Sequence, residues 1–283
     1  MKKTKYTTIE VQAGNGVGLI TLNRPELHNA FNETMIAEIT EAVAELDRDP
    51  AVRALILGAH GKSFCAGADL NWMKKMSGYN FEQNFADAQG LAQMLHALNT
   101  TAKPTIARVH GAAFAGGMGL IAACDIAIAA QDVEFCLSEA KLGLTPATIS
   151  PYVIAAMGER HARRYFLTAE RFSAAEAFRI GFVHDIVLPG ELDAKINELL
   201  AHIAVTGPAA VAACKDLIRA VAKSKVDRDL INDTATRIAT IRATDEGREG
   251  VRSFLEKRRP AWTETAAAAG AKSAAKKTTK KQK

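Results

Sequence analysis

Polar and apolar positions near the start of the chain alternate with period two. Tyr6 to Gln12 and Val17 to Asn23 are two such runs separated by Ala13-Gly14-Asn15-Gly16, a pattern that predicts a β-hairpin. The segment NRPELHNAFN then breaks the alternation. Asn32 is placed to cap a helix whose Met35, Ile36, Ile39, Val43 and Leu46 share one face. A strand follows at Ala54 to Leu57, and a second helix is expected from Phe81 to Leu98 with Phe85, Ala88, Leu91, Met94 and Leu98 inward, ending before Lys103-Pro104.

Beyond Pro104 the pattern changes character. Thr105 to Val109 is an apolar run, a glycine-containing turn interrupts it, and the small apolar residues after the turn suit a buried helix. Ile126 and Ile128, then Val133, Phe135 and Leu137, return to a β-like pattern that ends on Glu139. Pro151 to Met157 and Glu159 to Thr168 read as helices, and Ser173-Ala-Ala-Glu176 has the form of a capping box for a helix ending near Gly181. Phe182 to Val187 is a short strand, and from Leu192 to Trp262 the pattern is almost wholly helical. Strands alternating with helices of this length imply an α/β fold with right-handed crossovers and parallel strands.

Composition narrows the class only slightly. The chain has 283 residues, 48% hydrophobic and 24% charged, which fits a globular protein able to bury a large core. No apolar run is long enough to cross a bilayer, and MKKTKYTTIEVQ lacks the apolar segment of a secretory signal, so a cytoplasmic location without membrane attachment is expected. The net charge of +5 comes from the tail: residues 263–283 hold six lysines and one glutamate, leaving 30 basic and 30 acidic residues in 1–262. That tail, rich in alanine, lysine and threonine, reads as a disordered, solvated extension rather than a nucleic-acid arm. The four cysteines, Cys65, Cys124, Cys136 and Cys214, have no metal-like spacing, and for Cys65 a packing role is the expectation.

Two glycine-bearing turns carry the candidate chemistry. In ILGAHGKSFCAGADL a strand runs into a loop of small residues at Ala66-Gly67-Ala68-Asp69. In HGAAFAGGMGL a strand breaks into a turn that opens a helix. Each leaves backbone N–H groups free to face an anion or a developing oxyanion, and Glu139 follows the next strand, so its carboxylate can return to the same end of the sheet. Neither a GxGxxG nor a GxxxxGK[ST] sequence occurs, no GxSxG marks a serine hydrolase, and the seven histidines lack HxxxH spacing.

FCAGADL and HGAAFAGGMGL, with SEAKLGLTPA downstream, resemble the crotonase (enoyl-CoA hydratase/isomerase) superfamily from about Thr8 to Trp262. The resemblance implies a spiral of ββα units over residues 1–191 holding the CoA and active sites. It also implies a helical region, 192–262, that joins subunits into homotrimers or hexamers made of two trimers, ahead of the tail at 263–283. It implies an acyl-CoA thioester as substrate, with coenzyme A part of that substrate and no separate cofactor or metal. The oxyanion donors it implies are the N–H groups of Ala68 and Gly116, with Glu139 as the acid/base. A second family glutamate falls on Gly119, which has no side chain. CoA is expected against the backbone around Arg24, His28 and Ala30 and around Ala66, Gly67, Ala68, Asp69 and Gly116, with Arg24 and Lys257 meeting phosphates. GADLNWMK, EFCLSEAKLGLTPATISPYV and RRYFLTAERFSAAEA look like bacterial methylglutaconyl-CoA hydratases, whose substrates carry a distal carboxylate. Lys74, Lys75 and Ser150 are candidates for that end on position alone. A Δ3,Δ2-enoyl-CoA isomerase, or a non-catalytic or RNA-binding member using the lysine tail, is the alternative.

Overall fold

The computed structural model describes residues 6–263. Strands β1 (Ile9–Gly14) and β2 (Val17–Leu22) form the expected antiparallel hairpin, and Asn15 and Gly16 both take positive φ, 53° and 80°, as a tight primed turn requires. Helix α1 (Glu33–Arg48) starts where Asn32 accepts a hydrogen bond from the Met35 N–H, and Met35, Ile36, Ile39, Val43 and Leu46 are all buried. Next come β3 (Ala54–Ala59), β4 (Ser63–Cys65), α2 (Leu70–Met76) and α3 (Phe81–Thr100). Then follow β5 (Thr105–Val109), β6 (Ala112–Phe114), α4 (Gly116–Ala123), β7 (Ile126–Ala130), β8 (Glu134–Cys136) and α5 (Ser150–Thr168). Helix α5 contains the break expected between its two halves, at Gly158, whose φ of 77° and ψ of 155° are not helical. The spiral ends with β9 (Arg171–Ser173), α6 (Ala174–Arg179) and β10 (Asp185–Val187), and α7 (Leu192–Ala204), α8 (Pro208–Val221), α9 (Arg228–Ala243) and α10 (Asp245–Leu255) complete the described chain.

The strands lie in two sheets, ordered β1-β2-β3-β5-β7-β10 and β4-β6-β8-β9. Three successive turns repeat one unit: a strand of the large sheet, a short strand of the small sheet, then helix. This is the ββα spiral. In the small sheet β4, β6 and β8 run parallel, and β9 closes the edge antiparallel. Parallel neighbours end on the same side, so the residues after Cys65, Phe114 and Cys136 emerge together at one rim. Ligands of parallel sheets bind outside that rim.

Helix α3 departs from its expected pattern. Phe85 is 55% exposed and stacks on the exposed Phe81 at 6.1 Å, whereas Met94, Leu95 and Leu98 are buried. Gly90 is where the helix comes up against Ile36 of α1, so its first turns lie beyond the surface that α1 offers. Period alone does not reveal how far a partner surface extends. At Ser173 the cap forms as expected, accepting from the Glu176 N–H, but the Glu176 carboxylate turns to Tyr165 and Arg179 instead of closing a box. The C-terminal helices are anchored through Lys215 of α8, 8% exposed, whose ammonium bonds Asp125 at 2.6 Å and the Lys103 carbonyl at 2.9 Å. The lysine-rich tail lies outside the described residues except for Thr263.

Candidate active site

The loop after β4 is held by a second loop, Arg24 to Phe31. Asn29, fully buried, accepts from the Arg24 N–H and donates to the carbonyls of His60 and Ser63 at 2.8 and 2.9 Å. Its φ of 54° is one that asparagine tolerates better than most residues. Phe31 pairs with Ala68 as in a parallel sheet: the Phe31 N–H donates to Gly67 O at 2.7 Å, and the Asp69 N–H donates to Phe31 O at 2.8 Å. That pairing turns the N–H of Ala68 away from Phe31. Gly67 has φ +93°, and a Cβ there would lie 3.0 Å from Ala115 Cβ and 3.9 Å from Gly116 N, so the loop comes against the one that follows β6.

In that second loop Ala115 adopts φ 48° and ψ −121°, a conformation costly for a residue with a Cβ. Its N–H donates to Cys136 O at 2.8 Å, which locks the turn to the end of β8. Gly116 is the first residue of α4, and no side chain caps this helix. Among the described residues the N–H groups of Ala68 and Gly116 donate to no protein oxygen. Gly117 packs so closely on Cys65 that a Cβ would lie 2.9 Å from the Cys65 Cβ. Two free amides therefore stand on touching loops, one of them at a helix N-terminus where the dipole favours negative charge.

Glu139 begins the short turn Glu139–Leu142 after β8. Its Oε2 is buried without a partner, one of two such side-chain atoms among the described residues, the other being His110 Nδ1. Burial pushes the carboxyl above its ordinary 4.5, opposed only by its own backbone N–H. Such a carboxylate has unused acceptor capacity and raised basicity, the two properties a general base needs.

The position of the missing glutamate is filled from outside. A Cβ on Gly119 would collide with Cγ2 of Ile149 and lie 2.8 Å from its Cβ, and Ile149 is 2% exposed. A side chain at 119 would force Ile149 to shift from this packing. The site thus presents one carboxylate, with aliphatic carbon where a second would stand.

The other candidate residues have varied surroundings. Arg24 is bound inward, to Asp69 at 2.8 Å and to Ala30 O at 2.7 Å, and its side chain is 14% exposed, so it braces two loops rather than reaching out to a phosphate. Asp69 also caps α2, accepting from the N–H groups of Asn71 and Trp72. His28 is exposed and contacts Ser63 Oγ at 3.0 Å, and Ala66 is exposed with its N–H bonded to His28 O. Lys75 pairs with Glu33 on the surface, Ser150 donates to Ala147 O, and Lys74 is exposed on α2. Lys257 is exposed in the turn after α10 at φ 54°, and no hydrogen bond or ion pair among the described residues joins it to the site loops. Cys65 is fully buried with its thiol pushed up to about 12, an inert packing group. A cavity of about 540 Å³ between α4, α5 and α8 is lined by none of Ala68, Gly116 and Glu139. Sequence reasoning missed Phe31 and the inward turn of Arg24. The segment NRPELHNAFN carries no signal for either.

The family model for enoyl-CoA hydratase/isomerase matches residues 12–265. A crotonyl-CoA hydratase of Syntrophomonas wolfei is 33% identical over 256 residues, covering 90% of this chain and 97% of that protein. Among solved structures, an enoyl-CoA hydratase from Shewanella pealeana superposes with a TM-score of 0.89 at 44% identity, over 91% of this chain and 97% of that one. Pseudomonas aeruginosa AtuE gives 0.87 at 35%, over 91% and 100%. With the ββα spiral and a rim built from the ends of β4, β6 and β8, these matches place the chain in the enoyl-CoA hydratase/isomerase family, the crotonase superfamily, as an enzyme of that family.

Proposed function

We propose that the chain adds water across the double bond of an α,β-unsaturated acyl-CoA, with the thioester oxygen between the N–H groups of Ala68 and Gly116 and Glu139 over Cα and Cβ. The observation that carries this reading is the pair of unbonded amides on touching loops together with the unpartnered oxygen of Glu139. Glu139 takes a proton from water as its oxygen bonds Cβ. The π electrons move through Cα onto the thioester oxygen, and the two amides stabilise that charge, each donor being worth roughly 3 to 4 kcal/mol. The protonated Glu139 then returns the proton to Cα, which collapses the enolate and restores the thioester. No second carboxylate takes part, because Ile149 fills the space at Gly119.

That filled space also favours a second reading, Δ3,Δ2-enoyl-CoA isomerisation, in which one base lifts a proton from Cα and delivers it to Cγ. For hydration, the proposed substrate is 3-methylglutaconyl-CoA or a related carboxylated enoyl ester, supported by the likeness of GADLNWMK and EFCLSEAKLGLTPATISPYV to such hydratases. Of the cationic candidates for the distal carboxylate, Lys74 fits better than Lys75, which pairs with Glu33. Assembly into trimers or paired trimers is proposed from the same resemblance and supported by exposed Ile218, Ile231, Ile238 and Phe254 on α8, α9 and α10.

A spectrophotometric comparison of 3-methylglutaconyl-CoA, crotonyl-CoA and a 3-enoyl-CoA tests the reading. Loss of the conjugated enoyl absorbance from the first, faster than from crotonyl-CoA, is the expected result. Gain of that absorbance from the 3-enoyl ester, without loss from the others, would replace hydration by isomerisation. No change with any of the three would reject both.

A further inference from the structure

We infer that Phe31 is a positioning residue that sets both oxyanion amides at once: its backbone orients Ala68 and its ring fixes the approach of Gly116. This rests on the functional reading above. Phe31 is 1% exposed and lies directly before Asn32, the cap of α1, so it is tied to a rigid helix. On the backbone side it brackets Ala68, receiving Asp69 N–H and donating to Gly67 O, which leaves the Ala68 N–H facing the other way. On the side-chain side its Cε2 and Cδ2 would lie 2.7 and 3.1 Å from a Cβ on Gly116. The ring is thus the wall against which the first residue of α4 rests, and hydrogen at position 116 is what permits the contact. The amide after β4 and the amide after β6 belong to separate turns of the spiral, and Phe31 packs against both. A displacement of about 1 Å at such a donor costs on the order of 100-fold in rate.

Shortening the ring lets the Gly116 turn settle inward and spoils the spacing, whereas adding a methyl at 116 forces the turn outward. The two changes oppose each other. The experiment compares Phe31→Leu, Gly116→Ala and the double variant in turnover of crotonyl-CoA or whichever enoyl ester the wild type prefers. In the same variants it measures affinity for acetoacetyl-CoA, whose enolate carries charge on the thioester oxygen, and for butyryl-CoA, which has no such charge. Phe31→Leu is expected to lower kcat about tenfold or more, below the 100- to 1000-fold cost of losing a whole donor, with KM changed less than threefold. Acetoacetyl-CoA affinity should fall about tenfold and butyryl-CoA affinity less than threefold, a split that general loosening does not produce. The double variant should exceed Gly116→Ala in kcat. Phe31→Met, which is nearly as long, serves if Phe31→Leu does not fold, with a smaller loss in the same direction. Wild-type turnover with Phe31→Leu above half of wild-type kcat, or a double variant no better than Gly116→Ala, overturns the assignment and leaves the proposed function standing. A wild type inert toward every enoyl ester removes both.

Discussion

A buried and a half-buried carboxylate, Asp69 and Glu139, follow strands of the same small sheet, and the chain treats them in opposite ways. Asp69, after β4, is 4% exposed, and burial alone would raise its carboxyl; the N–H of Trp72, Arg24 and the N–H of Asn71 outweigh that and hold it below the ordinary value. Glu139, after β8, makes no ion pair among the described residues and has one oxygen without a partner, so burial wins and its carboxyl is raised. The first is a strut that joins Arg24, the Ala30 carbonyl and α2 around the Ala68 amide. The second has an oxygen with no protein partner, a condition costly for folding that suits a group that must take up a proton. Acid residues at one rim of a single sheet are thus sorted into holding and reacting by their hydrogen-bond partners.

The comparison breaks most visibly in kinetics. Glu139→Gln keeps the shape and removes the base, so kcat should fall about 1000-fold, within the usual span for general acid–base catalysis, while steady-state KM moves less than threefold. Asp69→Ala should act on the fold: it removes the α2 cap and leaves Arg24 buried without its counter-charge, a loss on the order of 3 to 5 kcal/mol by chemical denaturation. The pH dependence has a definite sign. Because the folded Asp69 carboxyl is lowered, its stabilisation is present above 3.8 and disappears as pH falls through the folded value, so the variant should lose less stability in acid than wild type.

A smaller effect sharpens the one-acid site. Gly119→Glu alone should destabilise by about 1 to 3 kcal/mol through overpacking against Ile149. Adding Ile149→Gly should recover part of that loss and raise hydration relative to isomerisation, read from the two absorbance changes on the same preparation. The smallest effect again concerns Glu139. A raised folded value means that its stabilisation is greatest below 4.5 and is lost as pH rises through that folded value. Glu139→Gln should therefore melt slightly higher than wild type at pH 7, with the difference closing near pH 4.

Much of this was legible in the chain because local rules and tertiary packing agreed. The face of α1, the cap at Asn32, the primed turn at Asn15-Gly16 and the break at Gly158 follow from period, capping and glycine alone. The two glycine turns and the return of Glu139 to their end of the sheet were also readable, since each follows a strand. Phe85 falls on the apolar face yet is exposed, because period does not fix where a neighbouring helix ends. The sequence offers Arg24 as a phosphate contact and does not reveal that Asp69, 45 residues away, faces it. The place of Ile149 against Gly119 depends on how α4 and α5 pack, which the sequence does not reveal.

The most direct test of Glu139 as a lone base is the pH profile of kcat/KM for hydration by the wild-type enzyme, set beside Glu139→Gln. The account predicts a single rise with pH whose midpoint lies above 4.5 and which is absent from the residual activity of the variant. A profile flat across that range, or the same rise persisting in Glu139→Gln with more than a tenth of the activity, would contradict it.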